Sequence, residues 1–126
     1  MIVIFGGAYQ GKLAYALDRF GLTSDDVYRC NENDTAIPGN KKILYEIDKW
    51  ILALVKADLD VAEAVQEFMA ANTDTVVICN DISCGVVPID PQARAWREAV
   101  GRSLAVLSRN SNEALRLFCG IATRIK

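Results

Sequence analysis

One stretch of the chain carries residue types at a spacing that binds phosphate. Gly6-Gly7-Ala8-Tyr9-Gln10-Gly11-Lys12 has the form GxxxxGK, which the Walker A motif completes with Ser or Thr. Here the next residue is Leu13. The motif has the context its mechanism requires: a short apolar run at 2–5 before it and a helical apolar spacing at 12–20 after it. Gly6 and Gly11 let the backbone wrap an anion, so that successive N–H groups and a helix N-terminus face it. Lys12 brings a point charge to the β- and γ-phosphates of a nucleoside triphosphate. The expected phosphate-binding set is therefore Gly6, Gly7, Ala8, Tyr9, Gln10, Gly11, Lys12 and Leu13. The competing reading is a glycine-rich strand–helix turn with a chance lysine.

Leu13 weakens the case for metal-dependent chemistry. The Ser or Thr at that position ligates Mg²⁺ through its hydroxyl, and leucine has none. A carboxylate that holds the metal belongs at the end of a neighbouring strand. The run 75–79 (TVVIC) followed by Asn80-Asp81 has that form, so Asp81 is the candidate metal ligand, directly or through water. An Asp in an Asx turn at a strand end reads equally well. Lys12 and Asp81 are the candidate catalytic pair.

Other chemistry is excluded or bland. None of the 126 residues is histidine, which removes histidine general bases, Ser–His and Cys–His pairs, and phospho- or nucleotidyl-histidine intermediates. Cys30, Cys79, Cys84 and Cys119 form no CxxC pair. With no histidine beside them they suit reduced thiols better than zinc ligands. Cys79 and Cys119 each close an apolar run and are expected to pack as small hydrophobes. A net charge of −2 gives no electrostatic argument for nucleic acid. No apolar window spans a membrane and the start MIVIFGG is no signal peptide, so a cytoplasmic location is expected.

The elements that must position these residues follow from hydrophobic periodicity. Length predicts a single domain over 1–126, and 52% apolar residues are enough for a core. Strands are expected at 2–5, 27–30, 75–79 and 115–119. Helices are expected at 12–20, 42–56, 61–71 and from Asp90-Pro91 to about Ser108. Gly21 stops the first helix, and Asp90 caps the last with Pro91 at its first position. Residues 31–41 read as a loop and the chain end after 119 as a short polar tail. Strands alternate with helices, which predicts an α/β three-layer sandwich of the P-loop NTPase-like type. Its small sheet is mainly parallel and four-stranded, with 2–5 central. Trp50 and Trp96 sit at core spacing. Arg94, Arg97 and Arg102 read as a solvated helix face, with Arg97 as a phosphate clamp the sharper alternative.

Several segments together resemble the adenosylcobinamide kinase / adenosylcobinamide-phosphate guanylyltransferase family of cobalamin biosynthesis. IVIFGGAYQGK is similar to that family's strand and GGxxSGKS. The stretch from Val77 to Pro88 (VICNDISCGVVP) resembles its V(S/C)(N/D)E(V)GxGIVP. ARAWREAVGR from Ala93 resembles its ARxFRDxxGRxN, and CGIATRIK from Cys119 its terminal SGxPxxxK. The resemblance implies a P-loop fold, ATP or GTP with Mg²⁺, and a corrinoid alcohol as phosphoryl acceptor. It places phosphate binding on residues 6–12 and metal or base work near Asp81. The chain departs from the family at Leu13, Leu104 and Ala122, where Ser, Asn and Pro are expected. It also lacks the histidine that carries guanylyl groups. Two functions therefore stand open: a reduced cobinamide-kinase-like enzyme, or a non-catalytic nucleotide-binding or assembly protein. A homo-oligomer is compatible with either.

Overall fold

The structure, a computed structural model, describes residues 1–82 and 89–126. The segment 83–88, which carries Cys84 and the Gly85-Val86-Val87-Pro88 stretch, lies outside the described residues. In chain order the elements are β1 (Ile2–Gly6), α1 (Lys12–Phe20), β2 (Val27–Arg29), β3 (Ile43–Tyr45) and α2 (Ile47–Lys56). There follow α3 (Val61–Ala71), β4 (Val76–Asn80), α4 (Pro91–Asn110), β5 (Glu113–Phe118) and β6 (Ile121–Arg124).

The strands form one sheet in the order β2-β3-β4-β1-β5-β6. β1 lies between β4 and β5 and is parallel to both, with Val3 paired to Val77 and Ala114. Its central place follows from its sequence. Val3 and Ile4 point to opposite faces, both are fully buried, and each joins a different apolar cluster. One cluster, holding Ile4, Ile78, Leu115 and Leu117, is covered by α1 through Ala16. The other, holding Val3, Val77 and Cys79, is covered by α2 through Ile47 and Ile51 and by α4 through Val100 and Leu107. α3 adds Val65 and Phe68 to that second layer, where Phe68 packs on Trp50 with ring centroids 5.4 Å apart. The α/β class, the three layers and the mainly parallel sheet are as the sequence predicts.

The sheet has six strands rather than four, and both additions correct the sequence reading. The expected helix at 42–56 is a strand followed by a helix. The apolar offsets of 43, 44, 47, 50 and 51 do match a helical period, but Ile43 and Leu44 feed opposite cores. Two-sided burial of consecutive residues is what a strand provides and a helix does not. β3 therefore pairs in parallel with β2 and β4, and the helix starts only at Ile47. The expected polar tail is β6, antiparallel to β5, with Phe118 opposite Ile121. Cys119 (φ 52°) and Gly120 (φ 75°) make the two-residue connection, both left-handed, as a tight hairpin demands. Cys119 is exposed in that turn, not packed as a small hydrophobe.

Local chemistry sets the helix ends. Gly21 (φ 62°) closes α1, and the Leu22 N–H reaches back to the Leu17 carbonyl at 3.0 Å. Asp90 caps α4, its Oδ2 accepting from the Ala93 N–H at 3.3 Å with Pro91 in the first turn. Among the described residues no helix is long and apolar enough to cross a membrane.

Candidate functional site

The glycine loop leaves the carboxyl end of the central strand. At Gly6 (φ 154°) a Cβ would lie 2.4 Å from the backbone oxygen of Leu117, so only glycine lets the end of β1 run this close to β5. Tyr9 follows with φ 60°, its side chain fully in solvent. Gly11 (φ 83°) turns the chain into α1, and its carbonyl accepts the first helical bond, from Tyr15 N–H at 3.0 Å. Among the described residues no side chain caps this helix start. That is the arrangement in which a helix N-terminus receives an anion.

The β5–β6 turn holds the loop from one side. Gln10 Oε1 accepts from the Cys119 N–H at 2.5 Å, and the Gln10 carbonyl accepts from the Gly120 N–H at 3.2 Å. From the other side β4 extends the register: the Asp81 N–H donates to the Gly6 carbonyl at 2.8 Å. Asp81 thus stands beside the first loop residue.

Lys12 is buried, with only 4% of its surface exposed, and its Nζ donates to the Gly7 carbonyl at 2.5 Å. Burial pulls its pKa below the usual 10.5, against the opposing pull of Asp48, Cys79 and Glu46. Asp48, in the first turn of α2, is itself 1% exposed. Its Oδ1 accepts from the Asn80 N–H at 3.0 Å and its carbonyl accepts from Trp96 Nε1 at 2.8 Å. One residue so ties β4, α2 and α4 together beneath the loop. Burial raises the Asp48 carboxyl above its ordinary value, and the Asn80 hydrogen bond works against that.

Across from the loop stand residues of β2, β3 and α2. Glu46 sits between β3 and α2 with left-handed backbone angles (φ 59°, ψ 52°). Its carboxylate takes two hydrogen bonds from Arg29, Nε to Oε2 at 2.9 Å and Nη2 to Oε1 at 3.3 Å. The Arg29 guanidinium also lies 5.7 Å from the centre of the Tyr45 ring. Between these two walls runs a cleft of about 590 Å³, lined by Ala8, Tyr9, Gln10, Gly11, Lys12 and Leu13 on one side. Arg29, Tyr45, Glu46 and Lys49 line the opposite side, and Asn80 also lines the cleft.

Leu13 is half-buried and packs against the cluster under α1. It offers no oxygen to a metal. Among the described residues no three His, Cys, Asp or Glu side chains are grouped to hold an ion. With one carboxylate, Asp81, at the strand end beside the loop, any Mg²⁺ here would keep waters and phosphate oxygens as most of its ligands. A single carboxylate does not suit a metal held by protein alone.

The sequence reading names the loop and Asp81 as candidates but not the opposite wall of the cleft. Tyr45, Glu46, Asp48 and Lys49 are concealed by reading 42–56 as one helix, and Arg29, on the expected strand 27–30, is not singled out. The signal present was Ile43-Leu44-Tyr45, a β-branched and aromatic run ending on a carboxylate. On α4, Arg102 and Glu98 approach to 3.9 Å and are both exposed, as the solvated-face reading expects, while Arg97 departs from that reading and is half-buried.

A mainly parallel sheet with a glycine loop at the carboxyl end of its central strand defines an α/β protein of the P-loop NTPase-like class. Residues 39–125 match the family described as cobinamide kinase / cobinamide phosphate guanyltransferase, and the chain belongs to that family. The matched stretch includes Glu46, Asp48, Asp81 and the whole of α4, and it starts beyond the glycine loop. No curated protein matches the chain.

Proposed function

We propose that the chain binds ATP or GTP through residues 6–13 and passes the terminal phosphoryl group to a hydroxyl of a corrinoid alcohol. This is the kinase half of the two activities in the family's name. The observation that carries the reading is Lys12, a buried lysine at the first position of α1 behind the glycine loop. A buried ammonium gains most from a phosphate partner, because the pair forms out of water. The loop and helix N–H groups orient the phosphates, Lys12 neutralises charge as it shifts to the leaving oxygen, and the Gln10 contacts keep the loop in place. Asp81 is the residue we assign to hold Mg²⁺. When bound, the ion would supply further charge neutralisation on the phosphates.

The guanylyl half is a different matter. Its covalent route in this family uses a histidine, and this chain has none. Labelled GTP is expected to leave no acid-labile adduct on the protein. A phosphoramidate would show that another nitrogen does the work.

Leu13 favours a second reading, a non-catalytic nucleotide-binding or assembly protein of the same family. Its side chain belongs to the apolar cluster and contributes nothing to a metal. Incubation with γ-labelled ATP or GTP and cobinamide separates the two. Label on the corrinoid supports the kinase, and retained nucleotide binding without transfer selects the second reading. A cytoplasmic location, where nucleoside triphosphates are at hand, is part of this proposal.

A further inference from the structure

Glu46 holds a backbone conformation that costs free energy. Left-handed angles are rare for a residue with a long side chain and carry a penalty that glycine avoids. The residue is a helix N-cap, yet its side chain caps nothing, whereas Asp60 and Asp90 cap α3 and α4 in the ordinary way. The strain is therefore not offset by capping. Its carboxylate bonds instead to Arg29, whose side chain is 72% exposed against 13% for Glu46. Because the arginine end of the pair is open to water, the pair adds only modestly to stability. Its two-pronged geometry does fix the plane of the carboxylate. Strain kept at a position where no cap offsets it is characteristic of functional sites. Glu46 also lines the cleft opposite the glycine loop and Lys12.

We propose that Glu46 is the catalytic carboxylate for the acceptor, with Arg29 as the residue that positions it. This rests on the kinase reading above. The acceptor hydroxyl enters the cleft between Glu46 and the terminal phosphate. Its oxygen forms the new bond to phosphorus as the bond from phosphorus to the β,γ-bridging oxygen breaks. The hydroxyl proton passes to a Glu46 oxygen, the nucleoside diphosphate leaves with the bond electrons, and the proton goes on to solvent. A transition state with little bond formation to the acceptor asks the carboxylate chiefly to orient the hydroxyl, which an arginine-paired glutamate can do.

The test compares wild type, Glu46→Gln and Glu46→Gly. Calorimetry gives nucleotide affinity, and γ-labelled ATP or GTP gives transfer to cobinamide and to water in one assay. Glu46→Gln is expected to bind nucleotide within about twofold of wild type and to lose turnover by about 10²–10⁴-fold, in kcat and not in nucleotide KM. Glu46→Gly adopts the left-handed angles freely and is expected to melt no lower than wild type, so its inactivity cannot come from unfolding. Wild-type turnover in Glu46→Gln overturns the assignment and leaves the kinase reading standing. A wild-type protein that binds nucleotide but transfers phosphate to neither acceptor overturns both.

Discussion

The Lys12 ammonium donates to the carbonyl oxygen of Gly7 at 2.5 Å, so the lysine is folded back against the loop that precedes it. A phosphate in that loop would compete for the same ammonium and would be a better partner than a neutral carbonyl.

The proton on Lys12 makes this competition measurable. Burial lowers its pKa in the folded protein below 10.5. The folded state therefore disfavours the ammonium, fully below the lowered pKa and not at all above 10.5, so this residue's penalty on stability fades as pH rises through that window. A bound phosphate reverses the bias by favouring the ammonium. Nucleotide binding should then take up a proton within the window, and affinity should fall as pH rises through it. Calorimetry in two buffers of different ionisation enthalpy reads the uptake. It should vanish in Lys12→Ala, and equal uptake in the variant would contradict the assignment.

Gln10 joins the loop to the β5–β6 turn through one side-chain and one backbone contact. Gln10→Ala removes the first. A hydrogen bond of this kind is worth about 1 kcal/mol, so nucleotide affinity should fall by roughly fivefold with the fold intact. The Cys119 amide should also exchange with solvent faster in the variant. Unchanged exchange there would show that the side-chain contact does not hold the turn.

Much of this arrangement was legible in the sequence because its chemistry is local. Gly6 and Gly11 around the loop, Gly21 at the end of α1, and Asp90-Pro91 at the start of α4 each state a backbone requirement in one or two residues. Ile43–Tyr45 and Ile121–Arg124 state none. Three- and four-residue strands are defined by their neighbours, β2 and β4 in one case and β5 in the other. Short apolar runs do not separate strand from helix by periodicity. Losing β3 cost half the site, since Glu46 and Asp48 owe their positions to the place where that strand ends. As surface positions on a long helix they carried no signal.

Leu13 decides how far nucleotide binding depends on metal. Leu13→Ser should lower stability by about 1–2 kcal/mol, because a half-buried leucine leaves the cluster under α1. In exchange it places a hydroxyl where Mg²⁺ is reached in Walker A loops. Thermal melts with nucleotide, with and without Mg²⁺, should show a larger magnesium-dependent shift in the variant than in wild type. The same shift in both would mean that the side chain at this position does not govern the metal.

The most direct measurement is titration of ATP and GTP into wild-type protein and Lys12→Ala by calorimetry. Deleting a buried, charge-assisted contact to phosphate should weaken binding by about tenfold or more. The variant's melting temperature without nucleotide should stay close to wild type or rise, since it removes a desolvated charge. Equal affinity in the two proteins would contradict the assignment of residues 6–13 as the nucleotide site.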